Sequence, residues 1–259
     1  MSQTTDLVAN RHQHILALAR QTGSVSVEAL ATRLGVTPQT IRKDLNDLAA
    51  RAMLSRVHGG AVVTSGVGNI DHATRAAVAA EAKAAIGAAT ARLVPEGASL
   101  FVNIGTTTEA VARALVDHRE LLVITNNLNV VDILAGRDPI EVIAAGGRVR
   151  ASDRAIVGAL AMDFIRGFRV DYAVIGTSAI DCDGTLLDFD VEEVRVSQTI
   201  IAHARKVILV ADASKIGRAA PVRIAGLDAV DYLVIDRIEP ELARACREAH
   251  VTVIETEAG

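Results

Sequence analysis

Tryptophan is absent and aromatic residues make up only 2% of the 259 residues, so a core has to be built from Ala, Val, Ile and Leu within a hydrophobic share of 50%. Cysteine is nearly absent too. Cys182 and Cys246 give no disulfide framework, and neither has a His or Cys neighbour at zinc-ligand spacing, so two inert thiols in a reducing compartment are expected. No window reaches the ~18 uncharged apolar residues that a membrane span requires. The opening MSQTTDLVANRHQH has no apolar core behind a basic flank, so a secretory signal is not expected and a soluble, cytoplasmic chain is. The length favours two domains.

The formal charge of -4 argues mildly against nucleic acid, but the average hides an asymmetry. Residues 1–62 hold seven basic side chains against four acidic ones, which leaves 20 basic against 27 acidic in the remainder. A basic head on an acidic body is the pattern expected when one part alone meets a phosphate backbone. The stretch VTSGVGNIDHAT at 63–74 has small polar residues and no sustained periodicity, and reads as the linker between a domain at 1–62 and another at 75–259.

Within the head, Ile15, Leu18 and Ala19 mark a short amphipathic helix at 11–20. Ser26 is placed to cap a second helix with Leu30, Ala31 and Leu34 on one face, and Gly35 to end it. Thr37 is placed to cap a third helix, with Pro38 at its first position. There Ile41, Leu45 and Leu48 point inward, which leaves Gln39, Thr40, Arg42, Lys43 and Asn46 outward. Those outward types read base edges and phosphates, and two helices joined by a Gly-containing turn have the helix-turn-helix layout. The string MLSRVHGGAV at 53–62 reads as a hairpin wing that brings Arg56 and His58 beside the sugar-phosphate backbone.

From residue 98, short β-branched runs (SLFVNI, LLVIT, IEVIAA, DYAVIG, KVILVAD, YLVID, VTVIE) alternate with helical stretches at 108–117, 128–135, 155–165, 191–204 and 239–248, after an Ala-rich helix at 75–92. This is a Rossmann-like, mostly parallel α/β sheet covered on both faces, in which ligands bind beyond the carboxyl ends of the strands. The polar residues fall at those ends. Asn103, Gly105, Thr106, Thr107 and Thr108 open a helix suited to an anion. Thr125, Asn126 and Asn127 follow the second strand, Gly147 and Arg150 the third, and an acidic loop with Asp188 and Glu193 the fourth. Lys215 follows the next. Donors for a phosphate and acceptors for hydroxyls thus surround one mouth. No Walker lysine and no G-x-G-x-x-G are present, which disfavours nucleotides, and Asp181-Cys182-Asp183-Gly184 has the wrong spacing for a calcium loop. No cofactor and no metal are expected.

The string VTPQTIRKDL at 36–45, Arg56 and HGGA at 58–61 resemble the DNA-binding signature of the DeoR family of bacterial transcriptional regulators. LFVNIGTTTEAVARAL at 100–115, VITNNLNV at 123–130, AGG at 145–147, SAIDCDGTLLDFDVEEVR at 178–195 and ADASKIGR at 211–218 are similar to the effector domain of that family, so the resemblance spans nearly the whole chain. It implies a winged helix-turn-helix whose Thr40, Arg42 and Lys43 enter the groove, and an Asp44 that pairs with a nearby Arg. It also implies an effector and oligomerisation domain similar to ribose-5-phosphate isomerase. The partners implied are a double-stranded DNA operator and a phosphorylated sugar or polyol, glycerol 3-phosphate foremost, acting on a homodimer or homotetramer. Asn103, Ala179 and Ile216 stand where many relatives carry Asp, Gly and Phe. Two alternatives stay open. One is a regulator of another sugar-phosphate pathway. The other is an isomerase using carboxylates among Asp181, Asp188, Asp190, Glu192 and Glu193, although the segment Gly176-Thr177-Ser178-Ala179 lacks the paired carboxylates of such enzymes.

Overall fold

The computed structural model describes residues 8, 11–12, 14–16, 18–19, 24–50, 54–57, 60–63, 72–77 and 79–256. They fall in two units, Met1–Ile70 and Asp71–Gly259. In the first, strand β1 (Ser24–Ser26) runs into helix α1 (Val27–Leu34), capped by the Ser26 hydroxyl, which accepts the Ala29 N–H at 3.1 Å. Gly35 ends α1 at φ +64, a left-handed conformation that a side chain would strain, so the turn to the next helix stays short. Thr37 Oγ1 accepts the Thr40 N–H at 3.2 Å at the start of α2 (Pro38–Ala50).

Ile41, Leu45 and Leu48 of α2 are buried with Val27, Leu30, Ala31, Ile15, Leu16, Ala19 and Leu54. Strands β2 (Leu54–Val57) and β3 (Gly60–Val63) pair antiparallel, and β1 adds to β3 to give the order β1-β3-β2. One charge lies inside this small core. Asp44 is buried on α2, and the Arg11 guanidinium grips it through Nε at 2.6 Å and Nη2 at 2.9 Å, with His12 Nε2 3.1 Å away. Burial pushes the Asp44 carboxyl up, but Arg11 and His12 outweigh it and hold the group below the usual carboxylate range.

The second unit begins with α3 (His72–Ala77) and α4 (Ala80–Ala91). The 75–92 stretch is therefore two helices rather than one, with Ala79 at φ +53 ahead of α4, and α3 starts inside the stretch expected to be linker. Then follow β4 (Ser99–Val102), α5 (Thr106–Ala114), β5 (Leu122–Thr125), α6 (Leu128–Leu134) and β6 (Glu141–Ala144). After the hairpin β7 (Arg148–Arg150) and β8 (Ala155–Val157) come α7 (Ala159–Arg166), β9 (Val170–Ile175), β10 (Ala179–Ile180), β11 (Leu186–Asp188) and α8 (Val191–Ala202). The chain ends with β12 (Ala204–Ala211), β13 (Val222–Ala225), β14 (Tyr232–Ile235), α9 (Pro240–Glu248) and β15 (Thr252–Glu255). The helix expected at 155–165 gives up its first three residues to β8, whose backbone pairs with β7.

Seven strands form one parallel sheet in the order β15-β14-β12-β9-β4-β5-β6. Alternate residues face opposite sides: Phe101, Ile175, Leu209 and Leu233 pack with Ile165, Val194 and Leu242, whereas Leu100, Val102, Val174 and Val210 pack with Ile86, Val111 and Leu134. On this second side α4 lies so close to α5 that a Cβ on Gly87 would come 2.5 Å from the Ala110 carbonyl oxygen. Between β4 and β9 the chain order reverses, so the loops after these strands lead away from each other and leave a crevice at their carboxyl ends. A smaller antiparallel sheet, β10-β11-β13, carries Asp188 at the end of its middle strand.

The Arg11–Asp44 pair gives the head an acid-sensitive anchor. Because the folded Asp44 pKa is depressed, its contribution is present above the ordinary carboxylate value and is lost as pH falls through the folded value. Asp44→Asn is expected to cost about 1–3 kcal/mol at pH 7. Urea unfolding of the full chain checks this: the gap between wild type and variant should narrow as pH falls below the ordinary carboxylate value, and a gap independent of pH would show that the charge does not matter.

Candidate functional site

On α2, Gln39, Arg42, Lys43 and Asn46 are exposed on the face opposite Ile41 and Leu45, and Thr40 is half-buried. Arg42 and Lys43 make no ion pair among the described residues. Thr37 is spent locally: besides capping α2, its hydroxyl lies 2.9 Å from that of Thr40. Arg56 sits in β2 opposite Ala61 of β3, and His58 lies outside the described residues. One helix thus offers two cations and two amides to solvent, the donor and acceptor set that reads base edges and phosphates.

In the second unit one cleft opens at the crevice between β4 and β9. Of the residues expected around a ligand, Gly105, Thr106, Thr107, Asp188, Glu193 and Lys215 line it, together with Gly176, Thr177 and Ser178 from the loop after β9. Gly105 adopts φ +138 ahead of α5, so the first amides of that helix, which have no partner within it, face the cleft. Lys215 ends a short 3-10 turn whose start is capped by Asp212. Burial drives the Lys215 ammonium down to about 8, against the pull of Asp212 and with Arg218, Lys83 and Arg75 pushing the same way. Lys215 makes no ion pair at contact distance among the described residues.

Burial raises both Asp188 and Glu193, which line the same cleft, and the proximity of Asp188 helps hold Glu193 up, to about 8. The Asp188 side chain also accepts the Phe189 N–H at 2.6 Å. Asp212, fully buried, takes the Ser214 N–H and hydroxyl on one oxygen and leaves the other without a partner. Cations, helix-terminal amides and carboxyl groups lining one cleft suit a small ligand with an anionic end and hydroxyls.

The remaining expected residues do not line the cleft, and hydrogen bonding explains why for most. Asn103 accepts the Ile104 N–H and donates to Ser197, both at 2.8 Å, which fixes the loop from beneath. Thr108 donates to the carbonyls of Asn103 and Gly105 at 2.7 Å each. Thr125 donates to Val102 at 2.6 Å and accepts the Asn127 N–H at 3.0 Å. Asn126 donates to the Ile156 carbonyl at 3.2 Å, its Oδ1 buried without a partner. Asn127 caps α6, and Gly147 lets β7 start 3.0 Å, measured from a would-be Cβ, from Ile156. Arg150, expected to meet a ligand, is saturated by three carboxylates: Asp153 at 2.6 and 2.9 Å, Asp190 at 2.7 Å and Glu193 at 2.6 Å. It braces the acidic wall.

Sequence reasoning missed Arg75. It lies on α3 and lines the same cleft. It also missed Glu109, buried on α5, where the carboxylate meets His72 at 2.8 Å and Asn129 at 2.9 Å. For Arg75 the available signal was its charge at the start of an otherwise Ala-rich stretch. Among the described residues no group of three or more His, Cys, Asp or Glu is placed to hold a metal, and no helix is long and apolar enough to cross a membrane.

Residues 11–67 match the DeoR-like helix-turn-helix domain and residues 78–237 the DeoR C terminal sensor domain. The chain is 44% identical over 230 residues to the glycerol-3-phosphate regulon repressor of Escherichia coli (strain K12), covering 89% of this chain and 91% of that one. It is 42% identical over 244 residues to the protein of the same name from Haemophilus influenzae, covering 94% and 95%. Among solved structures, ribose 5 phosphate isomerase A from Neisseria gonorrhoeae is 14% identical, with a TM-score of 0.39 over 52% of each chain. With both domains matched in order and its relatives covered almost end to end, the chain belongs to the DeoR family of helix-turn-helix regulators.

Proposed function

We propose that the chain is a cytoplasmic transcriptional repressor that lays α2 in the major groove of an operator and is released when a phosphorylated polyol or sugar, glycerol 3-phosphate foremost, fills the cleft between β4 and β9. The observation that carries this reading is that the opening residues of α5, the Lys215 ammonium and the Asp188 and Glu193 carboxyl groups line one cleft. Gly105, Thr106 and Thr107 bind the phosphate through their amides, Lys215 supplies charge, and Asp188 and Glu193 accept the hydroxyls. The curated relatives are named as repressors of the glycerol-3-phosphate regulon, and repression needs no turnover. The same names favour glycerol 3-phosphate over other phosphate esters. Heads of this kind usually act in pairs on inverted half-sites, so a homodimer or homotetramer held through the second unit completes the reading. Effector binding favours an arrangement of the heads that no longer fits the half-sites.

Thr40, Arg42, Lys43 and Asn46 are assigned to the groove, with Gln39, and Thr37, Arg56 and His58 to its edges. Arg42→Ala is expected to weaken binding to the preferred duplex by about 1–3 kcal/mol and to relax the preference at one base pair. Binding to a selected duplex and to scrambled duplexes distinguishes this from a loss equal on all DNA, which would reduce Arg42 to a phosphate contact.

Thermal shift ranks the effectors. Glycerol 3-phosphate at a hundred times its Kd should stabilise the second unit by about 2.7 kcal/mol, and glycerol at the same concentration should not. Above about pH 8 the Lys215 ammonium is lost and Glu193 gains charge, while below about pH 6 a phosphate ester loses one of its charges. Affinity should therefore peak between these limits and fall on both sides. The absence of any shift with glycerol 3-phosphate, fructose 1-phosphate and other sugar phosphates would remove the sensor from the account.

A further inference from the structure

Arg75 differs from every other arginine of the cleft region in what it lacks. Its Nε is buried without a hydrogen-bond partner, and its Nη2 stands 3.7 Å from Asp153, beyond hydrogen-bonding distance. Asp153 is already satisfied by the two hydrogen bonds from Arg150. An arginine side chain only 14% exposed that holds back part of its planar donor set, in a cleft shared with Thr106 and Lys215, is positioned for an anion that brings its own oxygens.

The backbone around Arg75 ties it to the rest of the site and to the linker. Lys83, nearly fully buried on α4, donates to the Arg75 carbonyl. His72, the first residue of α3, meets Glu109 of α5, the helix whose opening amides face the cleft. Helix α3 is also the first element of the second unit after the wing strand β3, with only residues 64–71 between them.

We propose that Arg75 is the effector's second phosphate ligand, leaving Asp153 for the bound ester, and that its capture is the step by which occupancy of the cleft reaches the DNA-binding head. This rests on the reading of the cleft as a phosphate-ester site. A fork paired with two phosphate oxygens while the α5 amides hold a third explains why the cleft carries an arginine on its most linker-proximal helix as well as a lysine. The coupling belongs to Arg75 because its differential contacts distinguish the empty from the filled cleft.

The test uses the full chain, a duplex selected with it in vitro, and glycerol 3-phosphate as probe, with Lys215→Ala as reference and Arg75→Ala and Arg75→Lys as variants. Calorimetry gives the effector affinity, and gel shift gives the ratio of duplex affinities without effector and at saturating effector. Arg75→Ala is expected to bind the duplex as wild type does, to bind glycerol 3-phosphate at least tenfold more weakly, and to show a ratio near one even at saturation. Arg75→Lys, which keeps the charge and preserves the packing if alanine does not fold, should recover part of the affinity but little of the ratio. Wild-type affinity in both variants overturns the proposal, and so does weakened affinity with the wild-type ratio retained at saturation, which would make Arg75 a ligand without a role in release. If wild type itself binds no glycerol 3-phosphate or other phosphate ester, the reading of the cleft fails first. If wild type binds and Lys215→Ala does not while the Arg75 variants are unchanged, only the role of Arg75 is lost.

Discussion

Charge held away from water at the carboxyl ends of β4 and β9 is the constraint on which the rest of this molecule turns. Arg75, Lys83, Lys215 and Arg218 stand there with Asp188, Glu193 and Asp212, each partly or wholly removed from solvent, and burial works against the charged forms of Lys83, Lys215, Arg218, Asp188 and Glu193. The fold keeps such a cluster because the parallel sheet beneath it is apolar on both faces and anchored by α4, α5 and α8. Arg150 absorbs three carboxylates at the rim. What remains inside is a site with the Lys215 ammonium, which makes no ion pair among the described residues, an arginine with spare donors and a set of helix-terminal amides, all suited to one compact dianion.

The head solves a smaller problem by similar means. Its core is a handful of aliphatic side chains, and Asp44 faces inward among them, gripped by Arg11 from a helical segment far away in sequence. That pairing fixes the helix bearing Arg42 and Lys43 against the rest of the head. It leaves the outward face of α2 free of ion pairs among the described residues, as a surface that exchanges counterions for DNA phosphates must be.

All seven strands of the large sheet were legible in the sequence, because each is an apolar β-branched run bounded by polar turns. The three-residue strand Ala155–Val157 was not, since a short apolar run before a helix looks like its first turn, and only pairing with β7 distinguishes the two. The cleft was legible through its local anion motif at Gly105–Thr107 and through Lys215. Arg150 misled for a physical reason: an arginine at a strand end reads as a ligand donor unless its partners are known, and Asp190 and Glu193 lie some forty residues away in sequence. Arg75 went unread for the converse reason, since a single cation near a linker acquires meaning only when folding brings it into the cleft that Thr106 and Lys215 line.

The central claim is that cleft and recognition helix share one equilibrium, so each ligand must weaken the other by the same factor. Calorimetric titration of glycerol 3-phosphate into the full chain, once alone and once saturated with its selected duplex, measures this from the effector's side. The account predicts weaker binding to the DNA-bound chain, by the factor with which the effector weakens the duplex. Equal affinity in the two titrations would contradict it.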